Sequence, residues 1–185
     1  MTFYARNLPH WHPDGKALFV TWRLFGSLPR AVLEEYRALN LCDSGEAFAR
    51  IDRTLDRAQS GPKWLAHHEI AAMIVGALRR GDGGMKLFRL FSYVVMPNHV
   101  HVLLQPGAPL AKITKGIKGA TARRANSILG RSGVPFWQDE SFDHWTRSGQ
   151  EVERIKLYIE WNPVKAGLVK EPGQWPWSSA SSTGF

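Results

Sequence analysis

Two histidines one residue apart, His99 and His101, stand at the start of the apolar segment HVHVLLQ. The alternation there predicts a strand over 99–105. Residues i and i+2 of a strand share a face, so both imidazoles project together while Val100 and Val102 point to the other side, toward a core. Two imidazoles converging from one face are two metal ligands in need of a third. No cysteine lies nearby, so oxygen ligands would complete the site and suit Mg²⁺ or Mn²⁺, with Zn²⁺ as a further option. The plain alternative is a pair of half-exposed strand histidines. His10 and His12 have the same spacing but sit between Pro9 and Pro13, and read as a loop. His67-His68-Glu69 opens like a metalloprotease His-Glu-x-x-His but lacks the second histidine, so that motif is absent. His144 is open between core and site.

A second pair lies near the C-terminus. The segment Gln150–Trp161 carries Val152, Ile155 and Ile159 at helical spacing, an inward-packing stripe. Tyr158 lies at the edge of that stripe. Asn162 follows four residues later, on the same face one turn on, and precedes Pro163, where the helix is expected to stop. A phenol oxygen as nucleophile and an amide oxygen as metal ligand could serve one site. The bland reading is a core-edge tyrosine followed by a turn.

The third feature is a basic stripe. In the helix expected over 109–129, Leu110, Ile113, Ile117, Ala120 and Ile128 fall on one side and Lys112, Lys115, Lys118 and Arg123 on the other, with Arg124 out of pattern. Such a stripe is commonly a solvated face. Following the histidine strand directly, it could also track phosphates beside a metal. Trp137, Phe142, Trp145, Trp175 and Trp177 could stack bases or simply pack.

The elements that must hold these residues follow from pattern. A first strand is expected in 16–26, helices between Arg30 and Arg80 with breaks near 40–44 and 60–62, a second strand in 85–95, and a fourth within 136–147. The close spacing of the second and third strands predicts an antiparallel pair. Strand, helices, strand, strand, helix, strand, helix is the split βαβ order, an α+β ferredoxin-like fold. It implies a four-stranded antiparallel sheet with helices on one face, plus a helical elaboration after the first strand at about 30–80 and a tail at about 171–185. The 185 residues are expected to form a single domain.

The formal net charge of +8 favours a polyanionic partner, nucleic acid or an anionic surface. One cysteine, Cys42, excludes an internal disulfide framework and a Cys-rich zinc finger and suits a reduced, cytoplasmic setting. The first fifteen residues lack the apolar stretch of a signal peptide. The longest apolar run, Ile70–Leu78, is far short of the ~20 residues of a membrane span.

The segment Met96-Pro97-Asn98-His99-Val100-His101-Val102-Leu103-Leu104 resembles the signature of single-tyrosine HUH transposases, in which U is a bulky apolar residue, here Val100. The stretch from Tyr158 to Val169 (YIEWNPVKAGLV) is similar to the segment carrying their catalytic tyrosine. FWQDESFDH from Phe136, WPWSS from Trp175, RNLPH from Arg6 and FVTWRL from Phe19 resemble one branch, the REP-associated tyrosine transposases. Trp161 departs from that branch, which often has an asparagine there. The resemblance implies a ferredoxin-like HUH core, with His99, His101 and Asn162 binding a divalent metal and Tyr158 attacking a phosphodiester. The implied substrate is single-stranded DNA with a palindromic hairpin, cut by an enzyme that joins strands through a 5′-phosphotyrosine and acts as a monomer. The competing reading is a non-catalytic nucleic-acid-binding module on the same scaffold; a third is a metal-dependent hydrolase using activated water.

Overall fold

The computed structural model describes residues 2–5, 9–12, 15–38, 44–58, 60–139 and 141–182; for 2–5, 9–12, 35–38 and 44–47 the backbone alone is described. The chain opens on a hairpin of β1 (Thr2–Ala5) and β2 (Pro9–His12), with Thr2 opposite His12. His10 and His12 therefore lie on a strand and not in the expected loop. Pro9 fits as the first residue of the strand, a place where a missing N–H costs least.

Next come β3 (Leu18–Arg23), α1 (Arg30–Ala38), α2 (Ser44–Arg57) and α3 (His68–Arg79), the last closed by a π-turn over Arg80–Gly84. Then follow β4 (Phe88–Val95), β5 (His99–Pro106), α4 (Leu110–Ile128), β6 (Phe142–Trp145) and α5 (Gly149–Lys165). The sheet order is β4-β5-β3-β6, all antiparallel. Counting only these four strands, that is order 2-3-1-4, the ferredoxin-like arrangement expected from the element order.

Strand alternation divides the molecule into two apolar clusters. Leu18, Val20 and Trp22 of β3 and Val100, Val102 and Leu104 of β5 face α3 and α4, packing against Ile70, Ile74, Ile113 and Ile117. On the opposite face Phe19, Val94, Met96 and Leu103 pack against Ile159 of α5, with Ile155, Tyr158 and Phe48 of α2 alongside. Thus α3 and α4 cover one face as expected, while α2 of the elaboration and the C-terminal helix cover the other, which is the histidine face.

Pro163 does not end α5. The helix runs on to Lys165 and closes with Gly167 at φ 71°, where the Gly167 N–H donates to the Val164 carbonyl (3.0 Å) and the Leu168 N–H to that of Pro163 (2.9 Å). This Schellman closure satisfies the last carbonyls one turn beyond the proline, so Asn162 stays helical. The start is capped by Ser148, whose side chain accepts from the Glu151 N–H. The tail past Glu171 forms a short 3₁₀ turn (Pro172–Gln174) and then lies along the edge of β4. The Val95 N–H donates to Trp177 O, and the Ser179 N–H to Tyr93 O. A free strand edge is thereby covered.

Candidate metal centre and nucleophile

Antiparallel register sets the site. Thr21 lies opposite His101 and Arg23 opposite His99. Cross-strand partners share a face, so Thr21, Arg23 and both histidines project to the same side. Thr21 Oγ1 sits 2.7 Å from His101 Nδ1. The histidines are fully buried, and their Nε2 atoms are 3.0 Å apart. From above, α5 lays the Tyr158 ring 5.9 Å from that of His101, and α2 brings in Asp52 and Asp56. Asp52 Oδ1 lies 3.1 Å from His101 Nε2, and Asp56 Oδ1 3.6 Å from His99 Nε2. The Tyr158 hydroxyl donates to Asp52 Oδ2. The Lys165 ammonium stands over the Tyr158 ring, 4.3 Å from its centroid.

The hydrogen-bond network assigns the His99 tautomer. Asn98 Nδ2 donates to the Leu55 carbonyl at 3.0 Å, which turns Asn98 Oδ1, an acceptor only, toward His99 Nδ1 at 2.7 Å. Nδ1 must therefore carry the proton. Burial, reinforced by the charge of His101 and opposed by Asp52, takes His99 down to about 3, so the ring is neutral. A neutral ring protonated at Nδ1 leaves Nε2 as a bare lone pair aimed into the cluster. A second-neighbour amide that fixes the ring in this way is characteristic of metal-binding histidines.

The carboxylates differ. Burial, and then the charge of Asp52, raise the Asp56 carboxyl to about 7. Burial also pushes Asp52 upward, but His101, His99 and Lys165 outweigh it and hold Asp52 below the ordinary carboxylate range. Asn162 is fully buried beside Asp56. Neither amide atom makes a hydrogen bond among the described residues, and Asp56 Oδ1 also lacks one.

These residues fit a divalent cation. One ligand atom each from Asp52, Asp56, His99 and His101 lie within 4.8 Å of one another. Ligands about 2.1 Å from a shared ion and at right angles to it are about 3.0 Å apart, the spacing of the two Nε2 atoms. Buried polar atoms are ordinarily paired, and here Asp52 Oδ1, Asp56 Oδ1 and both Asn162 amide atoms are not.

The structure thus brings His99, His101 and Tyr158 together, with Asn162 beside Asp56. It does not bring the basic stripe to them. Helix α4 packs on the other face of the sheet, so Lys112, Lys115 and Arg123, all exposed, are separated from the histidines by the sheet itself. Lys118 donates to the carbonyls of Gln138 and Asp139 (2.6 and 2.7 Å) and so holds a loop. The buried stripe of α4 runs Leu110, Ile113, Ile117, Thr121, Ala125. Ala120 is exposed because the stripe steps to Thr121, whose hydroxyl accepts from Trp137 Nε1. Trp137 and Trp177 are core residues, and Phe142 stacks on Phe48 at 4.1 Å.

Sequence reasoning missed Asp52, Asp56, Thr21 and Asn98. A signal existed for Asp52, since Phe48, Asp52 and Leu55 share one helical face, and an acid in an apolar stripe is out of place. Arg23 was also passed over. It is a half-buried cation that burial lowers to about 10, and no carboxylate pairs with it among the described residues.

The site is thus a buried histidine pair on an inner strand of a ferredoxin-like sheet, with a tyrosine helix across it. Residues 81–162 match the family described as "Transposase IS200 like". The chain is similar in structure to a REP-associated tyrosine transposase bound to a REP hairpin, with a TM-score of 0.55 and 19% identity, over 97% of this chain and 82% of that one. A candidate transposase from Deinococcus radiodurans R1 is 21% identical over 86% of this chain and 96% of its own, with a TM-score of 0.42. Among curated proteins nothing matches. Residues 81–162 are therefore similar to IS200-like transposases, and the chain has the fold of a REP-associated tyrosine transposase. Among the described residues no helix is long and apolar enough to cross a membrane.

Proposed function

We propose that the chain is a metal-dependent single-stranded DNA endonuclease and strand transferase that acts on palindromic hairpin DNA through a 5′-phosphotyrosine. The observation that carries this reading is that the Tyr158 hydroxyl and the His99–His101 pair meet at Asp52, with the unpaired Asn162 amide beside the neighbouring Asp56. Tyr158 Oη attacks phosphorus in line and forms the Tyr–O–P bond. The P–O3′ bond breaks, and the 3′ oxygen leaves as a hydroxyl. The phosphodiester energy is kept in the covalent link, so a 3′-OH can attack it and rejoin strands. A Mg²⁺ or Mn²⁺ held by His99, His101 and Asn162 would polarise the scissile phosphate and offset its growing charge. Thr21 and Asn98 aim the imidazoles. Asp52 holds the phenol against the cluster, and Lys165 covers its ring.

That Tyr158 meets the histidines of its own chain supports a monomer acting in cis. Lys112, Lys115 and Arg123 offer exposed cations to the DNA backbone on the far face, with Lys118 bracing the adjoining loop. The hairpin bound by the structural relative supports a hairpin substrate here, met in the cytoplasm.

The test is incubation with labelled hairpin-bearing single-stranded DNA and Mg²⁺ or Mn²⁺, followed by denaturing electrophoresis. A denaturant-resistant adduct is expected, lost together with cleavage in Tyr158→Phe. Cleavage persisting in that variant would show activated water as the nucleophile. Tight hairpin binding with no cleavage by the native chain would make it a binding module.

A further inference from the structure

We propose that Asp56 is a ligand of the ion held by His99 and His101, so that ion binding and the docking of helix α2 on the sheet are one event. The inference rests on the metal half of the function proposed above and not on its tyrosine chemistry.

The two acids of α2 do different work. Asp52 Oδ2 accepts from the Tyr158 hydroxyl, while its Oδ1, 3.1 Å from His101 Nε2, is buried without a hydrogen bond of its own. Asp56 is one turn further along, and its Oδ1 is buried without a hydrogen-bond partner, 3.6 Å from the bare Nε2 of His99. The fully buried Asn162 amide, also unpaired, lies beside it. The His99–His101 imidazole pair, the Asp56 carboxylate and the Asn162 amide thus bring ligand atoms together, and those of Asp56 Oδ1 and Asn162 complete no hydrogen bond. A cation supplies what is missing.

Electrostatics gives the coupling its sign. Two carboxylates four residues apart on a helix repel. Their ion-pair contacts among the described residues are to the buried histidines. Burying carboxylates in that state opposes the docking of α2. The apolar attachment of α2 on this face is through Phe48, stacked on Phe142 and edge-on to Phe19 at 5.4 Å. An ion among these oxygens turns the repulsion into attraction and adds a bond from α2 to the central strand.

The test is Mn²⁺ titration of the DNA-free chain by calorimetry, paired with hydrogen exchange over Ser44–Arg57. The near-isosteric Asp56→Asn is expected to weaken Mn²⁺ binding at least tenfold, and His99→Ala to abolish it. Mn²⁺ is expected to slow exchange in α2 of the native chain and to leave it unchanged in Asp56→Asn. Native affinity in Asp56→Asn, or α2 exchange indifferent to Mn²⁺ in the native chain, would overturn the proposal while leaving the function intact. Native affinity in His99→Ala would place the ion elsewhere and overturn it too. No Mn²⁺ uptake by the native chain would overturn both the proposal and the metal-dependent reading.

Discussion

Replacing Asn98 by alanine separates a structural from a chemical role for the residue before the first histidine. Asn98 is fully buried and makes two hydrogen bonds, to Leu55 O at 3.0 Å and His99 Nδ1 at 2.7 Å. Asn98→Ala leaves that carbonyl and that ring N–H unpaired in the interior. Each such loss costs about 1–3 kcal/mol, so the fold should lose roughly 2–6 kcal/mol. In a chain of this size that lowers Tm by roughly 4–24 °C. Without the amide, His99 is also free to change tautomer and direct a proton at the cluster, and losing such an outer partner weakens metal binding about 10–100-fold. Urea unfolding followed by tryptophan fluorescence reads the first effect and calorimetric Mn²⁺ titration of the folded variant the second. A stability change under about 0.5 kcal/mol would refute the burial argument. Unchanged Mn²⁺ affinity in a folded Asn98→Ala protein would refute the tautomer argument.

Charge reversal at Lys112 and Lys115 should weaken hairpin binding and flatten its salt dependence by about 0.7–0.9 in log–log slope per lost phosphate contact; unchanged filter-binding curves would remove α4 from the DNA interface. Gly61→Ala should destabilise by at least about 2 kcal/mol, read by thermal melting. The residue sits at φ 75°, where a side chain is strained, and an added Cβ would lie 2.3 Å from the Gly26 carbonyl oxygen. Burial pushes the Glu151 carboxyl up, but the Arg147 N–H, His144 and Arg154 outweigh it and leave the group below its ordinary 4.5. A depressed carboxylate stabilises above its unfolded value, and that contribution fades as pH falls through the folded one. The stability gap between native and Glu151→Gln proteins should therefore hold from neutral pH to about 5 and close below it, as urea titrations at several pH values would show.

The sequence by itself determined what local periodicity and spacing can encode. His99 and His101 had to share a face because a strand alternates, Tyr158 and Asn162 because a helix returns every turn, and the element order already implied the sheet. The depth at which Pro163 sits in α5 was not legible, because the Schellman closure at Gly167 depends on backbone geometry four residues beyond the proline. Nor was the side of the sheet on which α4 falls. Sequence proximity placed Lys112 and Lys115 beside the histidines, whereas the crossover carries their helix behind the sheet. Only the tertiary structure recruited Asp52 and Asp56, which lie more than forty residues from His99 along the chain. A metal centre needs ligands from several directions, and one strand presents side chains to only two. The remaining oxygens had to arrive on separate helices, α2 and α5, whose docking is set by long-range packing that no local pattern in the chain records.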